Sequence, residues 1–251
     1  MDDPNPRPIA LVTGASRGIG AAAARELAHH GYGLVLVARS ADATVALAAE
    51  LTQGGAPSIA LPTDMRDAAA VRRMVDAVLA HFGRVDLLVS NAGVGEAKSL
   101  AKLADEDVAA VLETNLVSQI LLTRLLLPQM LERRRGGLIY IGSVAGYVGM
   151  PGGTIYAATK YGLLGFATAL RRELRRKGIG VTYIAPGFIE TEMIAGLRGV
   201  PKSPPSVVAR AVAAAAARPR RSIIVPWWYG GLIGLERLAP WLADVVLSRV
   251  R

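Results

Sequence analysis

The chain has 251 residues, a formal net charge of +9, no cysteine and a 52% share of hydrophobic residues. This share is large enough for a buried core, and the length is ordinary for one α/β domain. Because cysteine is absent, the sequence excludes a disulfide scaffold, a thiolate zinc site and a thiol nucleophile.

The positive charge first suggests an anionic partner such as nucleic acid. The arginines, however, fall in short groups near the ends of predicted helices, as at 133–135 and 171–172, where they complement the helix dipole. No recognition motif accompanies them, so we expect no nucleic-acid partner. The three histidines also lie near helix ends without a second cluster of possible ligands, and we expect no metal site.

The N-terminal segment 1–8 is acidic and contains proline, unlike a signal or transit sequence, and we expect a cytoplasmic protein. The apolar stretch at 223–235 is shorter than the roughly 20 residues that span a bilayer. We therefore predict no transmembrane helix.

Short apolar runs alternate with long alanine-rich segments along most of the chain. Each run is apolar throughout, as expected for a strand that is covered on both faces. The runs predict strands at 9–13, 34–38, 58–62, 85–90, 138–141, 181–185 and 222–225. The longer segments predict helices at 19–30, 41–53, 67–81, 105–134 with an interruption near Thr114, 154–177 and 205–217.

This alternation predicts a single-domain, Rossmann-type α/β fold, a doubly wound parallel sheet of about seven strands with helices on both faces. We assign 1–226 to that domain and 227–251 to an apolar helical extension of it.

A glycine-rich loop, Thr13 to Gly20, follows the first strand and opens the first predicted helix. Glycine lets the backbone approach a pyrophosphate, which the helix N-terminus then attracts. The spacing departs from the usual G-x-G-x-x-G fingerprint, and a tight strand-to-helix connection would also explain the glycines.

Arg39 follows the second strand, where an acidic residue usually holds a cofactor that lacks a 2′-phosphate. A second arginine, Arg17, lies within the glycine loop. The two arginines favour NADP(H) over NAD(H), because a guanidinium suits a phosphate. The alternative is that Arg39 is only a solvated residue at the end of a strand.

Tyr156 and Lys160 are four residues apart in a predicted helix, so they share a face, and the ammonium can lower the pKa of the phenol. Tyr156 is then a candidate general acid or base. This spacing also occurs by chance on many helices. Ser143, which follows the fifth strand at the ligand-binding edge of such a sheet, strengthens the functional interpretation.

Taken in order, these motifs resemble the short-chain dehydrogenase/reductase family over residues 8–226. The matching positions are the glycine loop, Asp64, Asn91-Ala92-Gly93, Asn115, Ser143, Tyr156 with Lys160, and Pro186-Gly187 followed by Thr191.

The resemblance implies a hydride-transfer enzyme whose catalytic residues are Asn115, Ser143, Tyr156 and Lys160. In that family pattern Tyr156 exchanges a proton with the substrate oxygen and Ser143 orients that oxygen. Lys160 binds the nicotinamide ribose and favours the anionic form of Tyr156, while Asn115 holds a water for proton relay. The implied cofactor-binding residues are Thr13, Gly14, Ser16, Arg17, Gly18, Ile19, Gly20, Arg39, Asp64, Met65, Asn91, Ala92, Gly93, Tyr156, Lys160, Pro186, Gly187, Ile189 and Thr191.

Two variable segments bear on the substrate. The segment 192–205 contains Met193, Ile194 and Leu197 and is interpreted as an apolar substrate lid, or as a short helix packed on the core. In the tail, 227–251, apolar side chains at three- and four-residue steps predict one amphipathic helix. The stripe comprises Leu232, Leu235, Leu238, Leu242, Val245 and Val246, with Trp241 beside it. Such a helix covers the pocket, packs on another subunit or lies in a membrane interface.

The leading hypothesis is an NADPH-dependent oxidoreductase for a hydrophobic ketone or secondary alcohol, such as a lipid, a steroid-like compound or a secondary metabolite. The alternatives are a 3-oxoacyl carrier-protein reductase and a non-catalytic NADP-binding regulator or scaffold. The resemblance also implies a homodimer or homotetramer, paired through the helices at 115–134 and 154–177.

Overall fold

Seven parallel strands form one sheet in the computed structural model of this protein, which describes residues 7–95, 98–197 and 199–247. Their order across the sheet is β3-β2-β1-β4-β5-β6-β7. In chain order they are β1 (Ile9–Thr13), β2 (Gly33–Ala38), β3 (Ser58–Pro62), β4 (Leu87–Ser90), β5 (Gly136–Ile141), β6 (Ile179–Pro186) and β7 (Ser222–Val225). The predicted doubly wound parallel sheet is confirmed.

Helices cover both faces of this sheet and bury two apolar layers against it. In chain order they are α1 (Gly18–His29), α2 (Ala41–Gln53), α3 (Ala68–Phe82), α4 (Asp105–Leu112), α5 (Ser118–Glu132), α6 (Thr154–Glu173), α7 (Pro205–Ala217), α8 (Tyr229–Leu238) and α9 (Pro240–Leu247). One layer contains side chains of α1, α2 and α7, and the other contains side chains of α3, α5 and α6. Burial on both faces explains why the strands lack polar alternation.

The predicted interruption near Thr114 is a π-helical turn, Glu113–Val117, which joins α4 to α5. The whole helical run, Asp105–Glu132, is long and apolar enough to cross a membrane by length and composition alone. Leu122, Leu126 and Met130 are nevertheless fully buried in the layer that packs on the sheet. We therefore interpret this run as a core helix.

The tail differs from its predicted form, because two helices replace the single amphipathic helix. Ala239 has an extended φ of −146° and Pro240 begins α9, as expected where a proline restricts the preceding residue and cannot continue a helix. The break changes which side chains are buried. Ile233, Ala243 and Leu247 face the interior, whereas Leu238, Leu242 and Val245 of the predicted stripe are exposed. The side chain of Val246 lies outside the described part of the structure.

Asp86, just before β4, links several segments at the amino edge of the sheet, which is opposite the carboxyl edge. Its carboxylate accepts hydrogen bonds from the Ile9 amide at 2.9 Å, from Arg133 at 2.7 Å and from Arg84 at 2.9 Å. Burial alone would raise the pKa of Asp86, but these three donors together lower it. The carboxylate therefore stabilises the folded chain as an anion.

We predict that Asp86→Asn lowers the free energy of unfolding by roughly 2 kcal/mol at pH 7, because charge-assisted hydrogen bonds are lost. The folded-state pKa lies below the unfolded one, so the stabilisation is present above about pH 4 and disappears as the pH falls through the folded value. Urea unfolding at several pH values measures this dependence. Asp76→Asn, at an exposed position of α3, is the control, and equal losses in both variants would contradict the assignment.

Candidate active site

The carboxyl ends of β1 and β4 are joined by Thr13 and Asn91. The Thr13 hydroxyl accepts hydrogen bonds from the amides of Asn91 at 2.9 Å and Ala92 at 3.0 Å. The Asn91 side-chain amide donates in turn to the carbonyls of Thr13 at 2.9 Å and Gly14 at 3.2 Å. The strand order reverses at β1 and β4, and ligands of doubly wound sheets bind at such a point.

The glycine loop is shaped by contacts that only glycine permits. Gly14 has a φ of +65°, and a Cβ there would lie 2.8 Å from the Asn91 side-chain nitrogen. A Cβ at Gly20 would lie 2.1 Å from the Gly14 carbonyl oxygen. The loop leads directly into α1 at Gly18, so a helix N-terminus lies behind it. This arrangement suits a phosphate group.

The candidate residues around the glycine loop lie in different environments. Ser16, Gly18 and Ile19 are half-buried, whereas the Arg17 guanidinium is exposed and contacts the Glu192 carboxylate at 2.6 Å. Thr191 lies beside Gly18, with its methyl group 3.0 Å from the position that a Cβ would take. The glycine loop therefore contacts the segment that follows β6.

The expected adenine end of the site carries a second basic residue that the sequence analysis did not select. Asp64 is paired with Arg66 at 2.8 Å, and this guanidinium holds the pKa of Asp64 below its usual range. Arg39 is exposed, and its charge also acts on Asp64. Met65, which lies between Asp64 and Arg66 in the sequence, is buried. The charged groups therefore form a cluster of two arginines and one carboxylate.

Ser143, Tyr156 and Lys160 come together at the carboxyl edge of β5. The Tyr156 hydroxyl is hydrogen-bonded to the side chain of Ser143. The Lys160 ammonium is buried one helical turn away, 5.4 Å from the centre of the Tyr156 ring, and donates to the Ile141 carbonyl at 3.1 Å. The predicted serine, tyrosine and lysine therefore share one site.

The electrostatics of this trio differ from the sequence-based expectation. Burial raises the pKa of Tyr156, and the hydrogen bond with Ser143 opposes this effect in part. Burial also lowers the pKa of Lys160 to about 8. The expected lowering of the Tyr156 pKa by Lys160 is not found in this structure, because the ammonium is directed to the Ile141 carbonyl.

Asn115 lies in the π-helical turn and links three segments. Its side-chain oxygen accepts from the Val94 amide at 2.8 Å, and its side-chain nitrogen donates to the Val94 carbonyl at 2.9 Å and to the Thr159 hydroxyl at 3.4 Å. The Thr159 hydroxyl donates to the Tyr156 carbonyl at 2.7 Å. Asn115 thus connects the loop after β4 to the first turns of α6, which carry Tyr156 and Lys160.

Tyr183 of β6 is a central residue that the sequence analysis missed. Its buried hydroxyl accepts from the Ser143 amide at 3.1 Å and lies 3.2 Å and 3.3 Å from the carbonyls of Ser143 and Lys160. A Cβ at Gly142 or Gly146 would lie 1.9 Å or 2.3 Å from the Tyr183 side chain. The two glycines on either side of Ser143 were the available sequence signal, since they make room for a large ring.

The remaining candidates, Pro186 to Thr191, comprise the last residue of β6 and the loop that follows it, and this segment contacts the tail. Pro186 and Ile189 are buried, and the Gly187 amide donates to the Val225 carbonyl at 2.8 Å. The Tyr229 ring lies so close to Gly187 that a Cβ there would be 2.1 Å away. The Tyr229 hydroxyl accepts from the Phe188 amide at 3.4 Å. The first residue of α8 therefore packs on this loop and accepts a hydrogen bond from its backbone.

The segment predicted as a lid begins with a short 3-10 helix, Glu192–Ile194. Met193 is half-exposed and lies against Gly95 after β4, where a Cβ would be 2.9 Å from the Met193 side chain. Ile194 and Leu197 are partly exposed. Of the two predicted alternatives, these positions favour a lid that crosses the carboxyl edge of the sheet. They do not favour a short helix packed on the core.

The tail also forms one wall of a cleft next to this site. Val144 and Val148, which follow Ser143, pack in one apolar cluster with Ile233, Ala243 and Leu247. Nearby lies a cleft of about 450 Å³, lined by Gly149, Met150, Pro151, Thr154, Ala157, Glu236, Asp244 and Leu247. The cleft is therefore built jointly by the segment after Ser143, the start of α6 and the tail.

This chain is similar to known proteins over most of its length. A family profile described as short chain dehydrogenase matches residues 8–199. The 3-oxoacyl-(acyl-carrier-protein) reductase FabG of Escherichia coli (strain K12) is 42% identical over 189 residues, 75% of this chain and 76% of that protein. A metagenomic short-chain oxidoreductase in complex with NADP is 34% identical, with a TM-score of 0.78 over 87% of this chain and 96% of that one. The actinorhodin polyketide ketoreductase, a variant solved with NADPH, is 32% identical, with a TM-score of 0.81 over 87% and 95%.

We predict that Tyr183→Phe lowers the free energy of unfolding by roughly 1–2 kcal/mol, because the Ser143 amide loses its partner. The exchange of the Ser143 amide hydrogen should become faster. Tyr140→Phe, which removes a buried hydrogen bond to Thr123, is the matched control and should leave that exchange unchanged. Unaltered Ser143 exchange in Tyr183→Phe would show that the phenol does not hold this segment.

Proposed function

Because the chain belongs to the short-chain dehydrogenase/reductase family, we propose that it transfers a hydride between NADP(H) and a hydrophobic ketone or secondary alcohol. Family membership makes it an NAD(P)-dependent oxidoreductase that acts on CH–OH and C=O groups. The observation that carries the proposal is the hydrogen-bonded pair of Ser143 and Tyr156 beside the buried Lys160.

The residues at the carboxyl edge of the sheet fit the phosphate groups of a dinucleotide cofactor. The glycine loop packs closely on Asn91 and leads directly into the N-terminus of α1, and Arg39 offers an exposed guanidinium after β2. We assign the pyrophosphate to Thr13–Gly20, the adenine to Asp64 and Met65, and the nicotinamide side to Asn91–Gly93 and Pro186–Thr191. Bound there, NADP(H) supplies or accepts the hydride.

Arg17 is also assigned to this cofactor, although in the structure it pairs with Glu192. Both partners are exposed, and an exposed ion pair contributes only about 0–1 kcal/mol. A doubly charged phosphate near the loop can therefore recruit the Arg17 guanidinium.

The proton steps follow from the site trio. The Ser143 hydroxyl orients the carbonyl oxygen, and the Tyr156 hydroxyl gives its proton to that oxygen in reduction. In oxidation the Tyr156 phenolate accepts the proton of the alcohol. Lys160 holds the nicotinamide ribose and, once its ammonium turns from the Ile141 carbonyl, stabilises the tyrosinate. The backbone carbonyl oxygen of Asn115 accepts a hydrogen bond from the Gln119 side chain and keeps a second lone pair for a relay water.

An apolar substrate is supported by the surroundings of the trio. Val144 and Val148, which follow Ser143, are buried in an apolar cluster with the tail, Met193 lies against Gly95 at the sheet edge, and Met150, Pro151 and Leu247 line the nearby cleft. Apolar walls with a few polar groups are typical of sites for greasy ligands. We therefore place the substrate chain on the tail side of the trio.

A second candidate function is the reduction of 3-oxoacyl thioesters, because relatives at about 40% identity carry the name of 3-oxoacyl carrier-protein reductases. Glu236 and Asp244 weigh against an acidic carrier protein at the tail side of the cleft, since like charges repel. NADPH oxidation measured with bulky ketones and with 3-oxoacyl thioesters separates the two candidates. Preferred turnover of the thioesters would replace the first proposal with the second.

The proposal includes a cytoplasmic location and a homodimer or homotetramer. Val117, Ile120 and Tyr161 are exposed on the helices at 115–134 and 154–177, where the family resemblance places subunit contacts. Exposed apolar side chains on such helices favour assembly. The tail is assigned to the same domain, because Ile233 and Leu247 share a cluster with Val144.

We predict that Tyr156→Phe lowers kcat by about 10²- to 10⁴-fold, because the proton donor is lost while the ring remains. NADPH binding, measured by fluorescence titration, should stay within a few-fold of the wild type. A tyrosine on the same helix that is not part of the trio, Tyr161, provides the control Tyr161→Phe. Near-normal turnover of Tyr156→Phe would rule out the proposed acid–base role.

We also predict that Arg39→Asp weakens NADPH binding at least roughly tenfold more than NADH binding, because the carboxylate repels the 2′-phosphate. Arg210→Asp, at an exposed position of α7, makes the same charge change and should alter both affinities little. Titration with each cofactor tests the difference. Equal losses for the two cofactors in Arg39→Asp would mean that Arg39 does not recognise the phosphate.

A further inference from the structure

A glutamine is buried in the apolar layer beneath the candidate site, where packing alone does not require one. Gln119 of α5 is only 1% exposed. Leu122, Leu126 and Met130 of the same helix fill this layer with apolar side chains. Burial of a side-chain amide costs free energy unless its polar atoms are hydrogen-bonded. The presence of glutamine at 119 must therefore be explained by the bonds that it makes.

The Gln119 side-chain amide donates to two backbone carbonyls of the candidate site. Its nitrogen lies 3.2 Å from the Ala92 carbonyl oxygen and 2.9 Å from the Asn115 carbonyl oxygen. Ala92 belongs to the loop after β4, and Asn115 belongs to the π-helical turn before α5. Gln119 therefore joins two segments that carry candidate site residues.

The orientation of the Gln119 amide is determined by these two carbonyls. A reversed amide would place its own oxygen against their oxygens, and neither bond could form. The side-chain oxygen of Gln119 is buried and has no hydrogen-bond partner among the described residues. The two donated bonds are thus kept although the acceptor of the same side chain is left unsatisfied. A buried unsatisfied group of this kind requires a reason other than packing.

Gln129, further along α5, makes the same pair of donated bonds at the other end of β4. Its side-chain nitrogen donates to the Val85 carbonyl at 3.0 Å and to the Leu126 carbonyl at 2.9 Å. Its side-chain oxygen accepts from the Arg133 guanidinium at 2.8 Å. Gln129 is thus fully bonded and links α5 to the amino edge of the sheet. The comparison identifies what is particular to Gln119, namely the carbonyls of the candidate site.

Gln119 and Asn115 together hold the loop after β4. The Asn115 side chain accepts from the Val94 amide at 2.8 Å and donates to the Val94 carbonyl at 2.9 Å. A Cβ at Gly93 would lie 3.3 Å from the Asn115 side-chain oxygen. Gln119 adds the bond to Ala92 and, with its second donated bond, fixes the backbone of Asn115. The loop is therefore held at successive residues by one helical run.

We propose that Gln119 is a positioning residue of the hydride-transfer site. Its buried side chain acts through Ala92 and Asn115, which the proposed function assigns to the nicotinamide side of the cofactor and to the proton relay. The inference therefore rests on that function. Gln119 keeps the loop that supports the nicotinamide in register with the turn that carries Asn115. Without the amide, the two carbonyls lose their shared donor, and the loop and the turn can move apart.

The test variant is Gln119→Met, and the matched control is Gln129→Met. Each exchange keeps a long neutral side chain and removes two donated bonds to carbonyls. The control loses at least as many bonds, because Arg133 also loses its acceptor. Both variants are made in the full chain, and thermal unfolding establishes that they are folded.

Calorimetric titration compares the affinities for NADPH and for adenosine 2′,5′-bisphosphate, which lacks the nicotinamide half. We expect Gln119→Met to bind NADPH at least roughly fivefold more weakly and the bisphosphate as the wild type does, because only the support of the nicotinamide side is lost. Gln129→Met should bind both ligands normally. With a ketone that the wild type reduces, Gln119→Met should also lower kcat by about tenfold, and the control should not.

Hydrogen exchange of the Val94 amide reports the same link without a cofactor. This amide donates to the Asn115 side chain, so we expect faster exchange in Gln119→Met and unchanged exchange in Gln129→Met. Gln119→Asn keeps the amide on a shorter stem that cannot reach both carbonyls. It should show the same pattern and replaces Gln119→Met where that variant does not fold.

Unchanged Val94 exchange or unchanged NADPH affinity in Gln119→Met would overturn the proposal. Equal losses for NADPH and the bisphosphate, or equal effects in Gln129→Met, would also overturn it, because they would show a general structural role. Selective weakening of NADPH in a protein whose wild type turns over no ketone would contradict the proposed function. It would leave the positioning of the cofactor by Gln119 intact, so the two proposals can fail separately.

Discussion

The hydroxyl of Tyr183 is the contact on which the geometry of the site depends. It joins β6 to the segment that carries Ser143 and to the backbone of Lys160 on α6. Because Tyr183 is buried within the sheet layer, the hydroxyl has little freedom to move. The serine and the helix that carries the tyrosine and lysine are therefore positioned by the same atom, and a shift of β6 would displace them together.

A second constraint acts at the other half of the site, where Asn91 and Thr13 join β4 to β1. Here side chains take over hydrogen bonds that a strand ladder would otherwise provide, because the chain leaves β1 and β4 for helices on opposite faces of the sheet. Asn115 extends this link from Val94 to Thr159. The glycine loop and the first turns of α6 thus share one network of short polar contacts, which gives the candidate site a rigid base.

The sheet, its helices and the trio could be predicted because they depend on local patterns. Apolar runs identify strands that are buried on both faces, and strand ends place Ser143 and the glycine loop at one edge. The sequence did not predict the pairing of Arg17 with Glu192, because exposed ion pairs between distant segments leave no pattern. The single tail helix was wrong because apolar periodicity continued through Pro240, whereas the backbone could not. The Lys160 ammonium points to the backbone carbonyl of Ile141. The four-residue spacing of Tyr156 and Lys160 does not reveal this contact, because Ile141 lies on another element.

The burial of Lys160 has a consequence for the thermal tolerance of this protein. A cation in an apolar interior opposes folding at neutral pH, as its pKa of about 8 indicates, and the penalty diminishes as the pH rises toward the unfolded value. An apolar side chain of similar length at this position would remove that penalty. Random libraries screened only for heat resistance should thus enrich apolar substitutions at position 160, at the expense of the role proposed for Lys160.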